Sequence, residues 1–234
     1  MNRYNISDLT SYCLGMSLTI EALKHNPNDI SEVLLSSKAN KNEQLSYLLK
    51  LCEDNKINII NDDKIIEKLS LKENCYCIGV FNKFYRNLNS NKHIVLYRFN
   101  DFGELGTILR SAVSFDFKDI VLIDSDIDYF DPRCIRASMG SIFHTNIIKC
   151  KNLEEYTNMY PAQNIIPFVS KGDNELNDLV LKDNYSLVIP QDYFDLDEIY
   201  KKGYYLKHQN LKEISLSVRS SIILSYAYNQ NLKR

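Results

Sequence analysis

Short apolar runs alternate with helix-patterned segments along almost the whole chain, and this alternation constrains the fold more than any other feature. Residues 94–98 (IVLYR), 119–123 (DIVLI), 164–169 (NIIPFV, interrupted by Pro167) and 185–189 (YSLVI) read as strands. Helical patterns lie between them. Strands that alternate with helices predict an α/β fold with a mostly parallel sheet covered on both faces. The first 85 residues repeat the alternation on a smaller scale. Residues 5–25 read as one amphipathic helix, with Leu9, Tyr12, Cys13, Met16, Ile20 and Leu23 on one stripe. Residues 30–36, 57–60 and 75–81 read as strands, residues 40–54 as a helix, and Asp62 or Asp63 as the cap of a short helix. Residues 82–93 (NKFYRNLNSNKH) are polar and without periodicity. The expected organisation is therefore a small α/β domain at 1–85, a linker at 86–93 and a second α/β domain at 94–234.

Composition removes several function classes. Lys and Arg total 28 against 30 Asp and Glu, a net charge of -2. A strongly cationic nucleic-acid clamp is excluded, but a local basic patch is not. The linker interleaves Lys83, Arg86 and Lys92 with Phe84 and Tyr85, a mixture that suits RNA. No run of 18 apolar residues is present, and the first residues lack the apolar core of a signal peptide, so the expectation is a cytoplasmic protein with no membrane span. Six cysteines are too few for a disulfide scaffold of this length; Cys75 and Cys77 read as one face of a strand. The four histidines stand in no recognised ligand spacing, and no metal is expected.

Three segments carry the chemistry. In NDFGELGTILRSAVSF (residues 100–115), Gly103 and Gly106 read as bracketing a turn between a strand and a helix, with Arg110 projecting beside that turn toward an anion. The spacing is neither a dinucleotide fingerprint nor a phosphate loop. Residues 132–145 read as one helix opened by Pro132, carrying Arg136 and Ser138, with Gly140 in its interior for close packing. Residues 213–230 read as the long last helix, with Ser215 and Ser217 at its start. Residues 174–181 and 193–200 read as short helical pieces, and 203–207 as a last short strand.

In order and spacing, these three segments resemble the SpoU/TrmH family of RNA ribose 2′-O-methyltransferases, within the SPOUT superfamily. The resemblance covers residues 94–230, and residues 11–35 are similar to the family's small ribosomal-protein-like RNA-binding domain. It implies a deep trefoil knot in the C-terminal domain, a homodimer, S-adenosylmethionine as cofactor, and structured RNA (rRNA or tRNA) as partner rather than DNA. Asp101, Gly106 and Arg110 stand where the first motif expects them, while Glu104 takes the place of its asparagine and Phe102 that of its proline. Pro190 replaces the first glycine of the second motif, Asp192 its glutamate and Asp195 its later glycine. Lys207, His208 and Gln209 stand in the cofactor loop, and Ser215, Leu216 and Ser217 in the last motif, with Ser217 for asparagine.

Carried over residue by residue, the resemblance assigns catalysis to Arg110, Ser215, Glu104 and Asp192. It assigns cofactor binding to Pro190, Lys207, His208, Gln209, Leu216 and Ser217. The RNA contacts expected are Arg110, Arg136, Lys83 and Arg86, with Lys92 and Arg133 as further candidates. Glu104 near Arg110 is expected to pair with it. The implied function is methyl transfer from S-adenosylmethionine to an RNA ribose 2′-hydroxyl. The alternative is a catalytically inactive SpoU-like RNA-binding or ribosome-associated protein.

Overall fold

The computed structural model describes residues 3–70, 74–193, 196, 200, 202–208 and 214–232. The chain divides into two compact units, one of residues 1–84 with 128–144, the other of residues 85–127 with 145–234.

The first unit is built on a four-stranded sheet in the order β1-β4-β2-β3. Its elements are β1 (Thr10–Leu14), α1 (Met16–His25), β2 (Ile30–Leu35), α2 (Glu43–Asp54), β3 (Asn58–Asn61), α3 (Asp63–Leu69) and β4 (Cys77–Asn82). β4 pairs antiparallel with β1 and β2, while β2 and β3 run parallel. The expected helix over residues 5–25 is corrected here: residues 10–14 are a strand, and the helix begins only at Met16. Tyr12 and Cys13, which read as one helical stripe, point to opposite faces of a strand. Tyr12 packs with Leu34, Ile66, Leu69, Ile78 and Val80. Asp62 and Asn42 cap their helices through the N–H groups of Ile65 and Leu45. Cys75 lies outside β4, which Cys77 begins, so the two do not share a strand.

Residues 128–144 join this unit through aromatic packing. Phe130 and Phe143 stack on Phe81 and Phe84 with ring centroids 5.1–6.3 Å apart, counting the Phe81–Phe84 pair. Ser11 Oγ donates to the Phe130 carbonyl at 2.5 Å. The helix expected over 132–145 is shorter: α5 spans Pro132–Ala137, and a 3-10 turn follows at Ser141–His144. Between them Met139 (φ 50) and Gly140 (φ 85) take left-handed conformations, so the chain leaves the helix at Met139 and Gly140 lies beyond its end instead of inside it.

The second unit holds a five-stranded, all-parallel sheet in the order β7-β6-β5-β10-β8. It contains β5 (Lys92–Tyr97), α4 (Phe102–Ser114), β6 (Asp119–Ile123), β7 (Asn146–Cys150), α6 (Leu153–Met159), β8 (Asn164–Pro167), β9 (Asn174–Glu175), β10 (Tyr185–Pro190), β11 (Tyr204–Tyr205) and the C-terminal helix α7 (Leu216–Leu232). Residues 176–178 are a 3-10 turn, so the segment expected as a helix is a two-residue strand and that turn. The central strands are buried on both faces, which is why they read as continuous apolar runs. Val95, Tyr97, Val121, Ile123 and Val188 share one face with Tyr156 of α6. Burial pushes thiols up throughout the chain, Cys52 and Cys150 to about 11 and Cys77 to about 12.

The polar stretch before β5 is anchored. The N–H groups of Asn89 and Ser90 donate to the buried Asp119 carboxylate at 2.9 and 2.5 Å, and Asn146 Nδ2 donates at 2.6 Å. β9 and β11 pair in parallel, extended by a bridge between Phe168 and Tyr204. At their approach a Cβ on Gly172 would lie 2.2 Å from the Gly203 carbonyl oxygen, so only glycine admits the second backbone.

Candidate functional site

In the strand order of the second unit, β5 is followed through α4 by β6 on one side and bordered by β10 on the other. At such a reversal the connections diverge beyond the carboxyl ends of the strands and leave a crevice, the usual ligand position of an open α/β sheet. Gln191 N–H donates to the Tyr97 carbonyl at 3.0 Å and ties the β10 loop to the end of β5. Arg98 (φ 54) and Asp124 (φ 52) are left-handed residues just past β5 and β6, and they form an ion pair at 2.8 Å. Sequence patterning gave no sign of that pair.

Asp101 caps α4 by accepting from the Glu104 N–H at 2.7 Å. Gly103 and Gly106 lie inside the helix, so the expected glycine-bracketed turn is corrected. The turn is made by residues 98–101, and Arg110 stands two turns into the helix. Glu104 does not form the expected pair with Arg110. Its Oε1 accepts from the N–H and hydroxyl of Ser217, both at 3.4 Å, linking the starts of α4 and α7. A turn further on, Ser111 and Ser221 exchange a hydroxyl hydrogen bond at 2.8 Å. Positions 104 and 111 lie on one face of a 3.6-residue helix and position 110 on another. Arg110 is exposed, and its guanidinium has no ion pair or hydrogen bond among the described residues.

Ser215 Oγ lies 3.0 Å from Ser217 Oγ and accepts from the Val218 N–H at 3.4 Å, the arrangement of a helix cap. Leu216 is buried. The group that sequence reasoning missed is Arg219. Its side chain is buried over the Tyr193 ring at 4.3 Å and donates to the carbonyls of Pro190 and Gln191 at 3.2 and 2.9 Å. Its only sequence signal was one arginine among apolar and small residues in the last helix. Asp192 is exposed in this loop. Lys207 pairs with Glu175 at 2.8 Å and is 75% exposed, so it does not wall a pocket as expected. That carboxylate raises the Lys207 ammonium and is itself lowered by it. Gln209 and Asp195 lie outside the described residues, as does most of 193–200.

The free polar atoms test whether these residues suit S-adenosylmethionine. His208 Nδ1, Arg219 Nε and Ser220 Oγ are buried without a hydrogen-bond partner among the described residues. Buried polar atoms are rarely left unpaired in a folded protein, and a ligand is one way to satisfy them. His208 follows buried Leu206 and partly buried Tyr205, so a nitrogen acceptor or donor adjoins apolar surface. These nitrogen and hydroxyl groups are of the kind that a nucleoside hydrogen-bonds, with the Pro190 and Gln191 carbonyls already taken by Arg219.

The expected RNA contacts separate into two kinds. Lys83 is corrected: its side chain is 6% exposed, with Nζ 3.2 Å from Asp128 Oδ2 and 2.8 Å from the Ile6 carbonyl. Tyr4 also donates to Asp128, and burial beside that carboxylate pushes its phenol up. Arg133 binds Asp131 through two nitrogens, and Lys92 binds Asp116 at 2.9 Å. Arg86 is half-buried. Arg136 in the first unit and Arg110 in the second are exposed, with side chains unpartnered among the described residues.

A parallel α/β sheet with its candidate site at the strand-order reversal, closed by serines and an acidic residue at two helix starts, defines the class. Residues 91–190 match the family model described as the SpoU rRNA Methylase family, and the chain has the SpoU/TrmH (SPOUT) RNA methyltransferase fold. It is similar over 94% of its length to an AdoMet-bound rRNA methyltransferase from Sinorhizobium meliloti, with 87% of that chain covered, 19% identity and a TM-score of 0.77. The SpoU methyltransferase AviRb from Streptomyces viridochromogenes matches 96% of the chain and 91% of its own, at 15% identity and a TM-score of 0.79. In sequence, 76 residues are 29% identical to the 23S rRNA (guanosine(2553)-2′-O)-methyltransferase RlmP of Bacillus subtilis (strain 168). That match takes in 32% of this chain and spans 30% of the relative. No described helix is long and apolar enough to cross a membrane.

Proposed function

We propose that this chain methylates an RNA ribose 2′-hydroxyl with S-adenosylmethionine. The observation that carries this reading is Arg110: an exposed guanidinium without a partner among the described residues, at the motif position on the helix that leaves β5 at the strand-order reversal. When bound, the cofactor supplies an electrophilic methyl group on sulfur. His208, Leu216 and Ser217, with Pro190 and Gln209, are the residues that would hold it. Arg110 attracts an RNA phosphate and orients the ribose, a task suited to a planar fork of donors that stays charged at any working pH. Glu104, through Ser217, joins the starts of two helices, Ser215 shapes the substrate end beside Ser217, and Asp192 supplies the acidic group of the second motif. Alignment of donor and hydroxyl provides most of the acceleration, because the methyl is already activated.

The same reading places RNA capture on the first unit through Arg136, transfer on the second with its trefoil knot, and two copies in the working protein. The likeness in fold to the SpoU methyltransferase AviRb, at a TM-score of 0.79, supports the knot. The exposed stripe of Val218, Ile222 and Leu232 on α7 supports the homodimer. Light scattering at micromolar concentration should give twice 27.3 kDa.

A second reading, an RNA binder without catalysis, is favoured by one observation. Arg219 occupies both carbonyls of the 190–191 loop, and Pro190 has no N–H to offer. Transfer of labelled methyl to total cellular RNA separates the two. Turnover by the wild type, lowered by about 10²-fold or more in Arg110→Ala, supports the enzyme. RNA binding with no transfer, and no calorimetric heat with millimolar S-adenosylmethionine, supports the second reading.

A further inference from the structure

We propose that Glu21, His25 and His144 form a zinc-binding site within the first unit. None of the three residues is among those assigned to methyl transfer. Glu21 and His25 are one turn apart on α1, and spacing i, i+4 brings their side chains to one helix face. His144 comes from the 3-10 turn at the end of the 128–144 segment, 123 positions from Glu21. Both imidazoles converge on a single carboxylate oxygen: His144 Nε2 lies 2.8 Å and His25 Nε2 3.2 Å from Glu21 Oε1. The two rings are 3.8 Å apart at their centroids. All three ligand atoms lie within 4.8 Å of one another.

The donor set selects the ion. Two imidazole nitrogens and one carboxylate oxygen suit zinc, which takes His2Glu sets and leaves a fourth position to water. Magnesium and calcium require oxygen ligands and match this set poorly. Bonds of about 2.0–2.1 Å at tetrahedral angles put ligand atoms roughly 3.3 Å apart. The His144–Glu21 pair at 2.8 Å therefore opens slightly, the His25–Glu21 pair at 3.2 Å already fits, and the two imidazole nitrogens, within 4.8 Å of each other, complete the set by rotation of their side chains. The three side chains are 26–37% exposed, which leaves an open side for entry and for the fourth ligand.

The backbone presses the carboxylate into place from the other side. A Cβ on Gly140, at φ 85, would lie 2.8 Å from Glu21 Cγ. Glycine at this position therefore lets the 139–141 turn pass against the Glu21 stem and deliver His144 to it. A bound ion would clip α1 to the segment that reaches the first unit from far along the chain.

The test uses the full, untagged chain stripped of metal with EDTA and titrated with zinc chloride. Calorimetry should show one equivalent bound, and the melting temperature should rise with zinc but not with magnesium. Glu21→Gln, His25→Asn and His144→Gln should each lower zinc affinity by at least ~10-fold, the smaller end of what even an outer partner of a metal ligand contributes. Circular dichroism checks that each variant is folded. Cobalt(II) should give ligand-field bands without thiolate-to-cobalt charge transfer. Absence of zinc binding by the wild type would overturn the proposal, as would affinity unchanged in all three variants. A thiolate band lost on substitution of Cys75 would overturn it too, by placing the ion on a cysteine.

Discussion

In the first unit two of the cations that the sequence flagged are held by internal partners, Lys83 by Asp128 and the Ile6 carbonyl and Arg133 by Asp131, while Arg136 is exposed. In the second unit the flagged Arg110 is free among the described residues, while an arginine that drew no notice, Arg219, is buried against two loop carbonyls. A positive charge in a motif or a polar stretch says that the residue is available to bind something. It does not say whether the partner is a ligand or the protein's own backbone. Burial decides between them, because a charge taken out of water must be paired where it stands.

The largest effect should come from the most buried of these pairs. Lys83→Met removes the ammonium from a carboxylate whose side chain is 12% exposed and leaves it only neutral donors among the described residues, the Tyr4 hydroxyl and the Phe130 N–H. The expected loss is about 3–5 kcal/mol, the scale for breaking a buried pair from one side. Asp128→Asn in the same chain should recover part of it, because the uncompensated charge is then gone. Urea unfolding followed by circular dichroism measures both. If Lys83→Met unfolds like the wild type but binds RNA more weakly, Lys83 serves RNA and not the pair with Asp128.

Arg219→Leu should come next, at ~3 kcal/mol. It leaves the Pro190 and Gln191 carbonyls unpaired and removes the cation from the Tyr193 ring. If the 190–193 loop is rigid because of Arg219, the variant should also change affinity for S-adenosylmethionine. A change in stability alone would assign Arg219 to the fold and not to the loop's ligand.

The contrast between the units also marks what the sequence could show. The parallel sheet was legible because strands such as Ile94–Leu96 and Ile120–Ile123 are buried on both faces and therefore continuous in hydrophobicity. A helix between β5 and β6 was legible for a similar reason, but its start at Asp101 was not, because Gly103 and Gly106 read as a turn and lie inside the helix. β1 was hidden because Tyr12, Cys13, Met16 and Ile20 satisfy a helical period by accident while facing a sheet. The true end of α5 was hidden because a glycine at φ 85 cannot be told by sequence from one tolerated inside a helix. The exchange of Glu104 from Arg110 to Ser217 depends on two helix starts meeting in space. So does the convergence of His144 on Glu21, and no local pattern encodes either.

A smaller effect should follow pH. His93 is 1% exposed; its Nδ1 lies 2.7 Å from the Tyr156 hydroxyl and its Nε2 3.0 Å from the Ser90 carbonyl. Nε2–H therefore donates to Ser90, and Nδ1 accepts from Tyr156. Burial lowers the His93 imidazole below its ordinary value, with the Ser90 carbonyl and Asp119 opposing the shift. The unfolded chain then takes up this proton first as pH falls. The His93 contribution to stability is complete above about 6.5, the unfolded value, and declines as pH drops from there through the folded one. The difference between wild type and His93→Gln, measured by urea unfolding from neutral pH downward, should shrink along that course. A difference independent of pH would place the proton elsewhere.

The smallest stability effect belongs to Arg110→Ala, and its smallness is the point. An exposed side chain with no internal partner among the described residues should change unfolding free energy by no more than about 0.5 kcal/mol. Arg136→Ala in the first unit should behave alike. Both variants should instead act on RNA. Each lost phosphate contact should reduce the slope of log affinity against log salt by about 1, and the losses should add if both arginines touch RNA at once. Arg110→Ala should further lower methyl transfer at saturating RNA, where Arg136→Ala should not, since only Arg110 lies on the helix that leaves β5. Equal loss of transfer in both would mean that capture, not alignment, limits the reaction. An unchanged salt slope in both would return the two arginines to the solvated surface, and would leave the first unit without an exposed, unpartnered cation among those the sequence proposed for RNA.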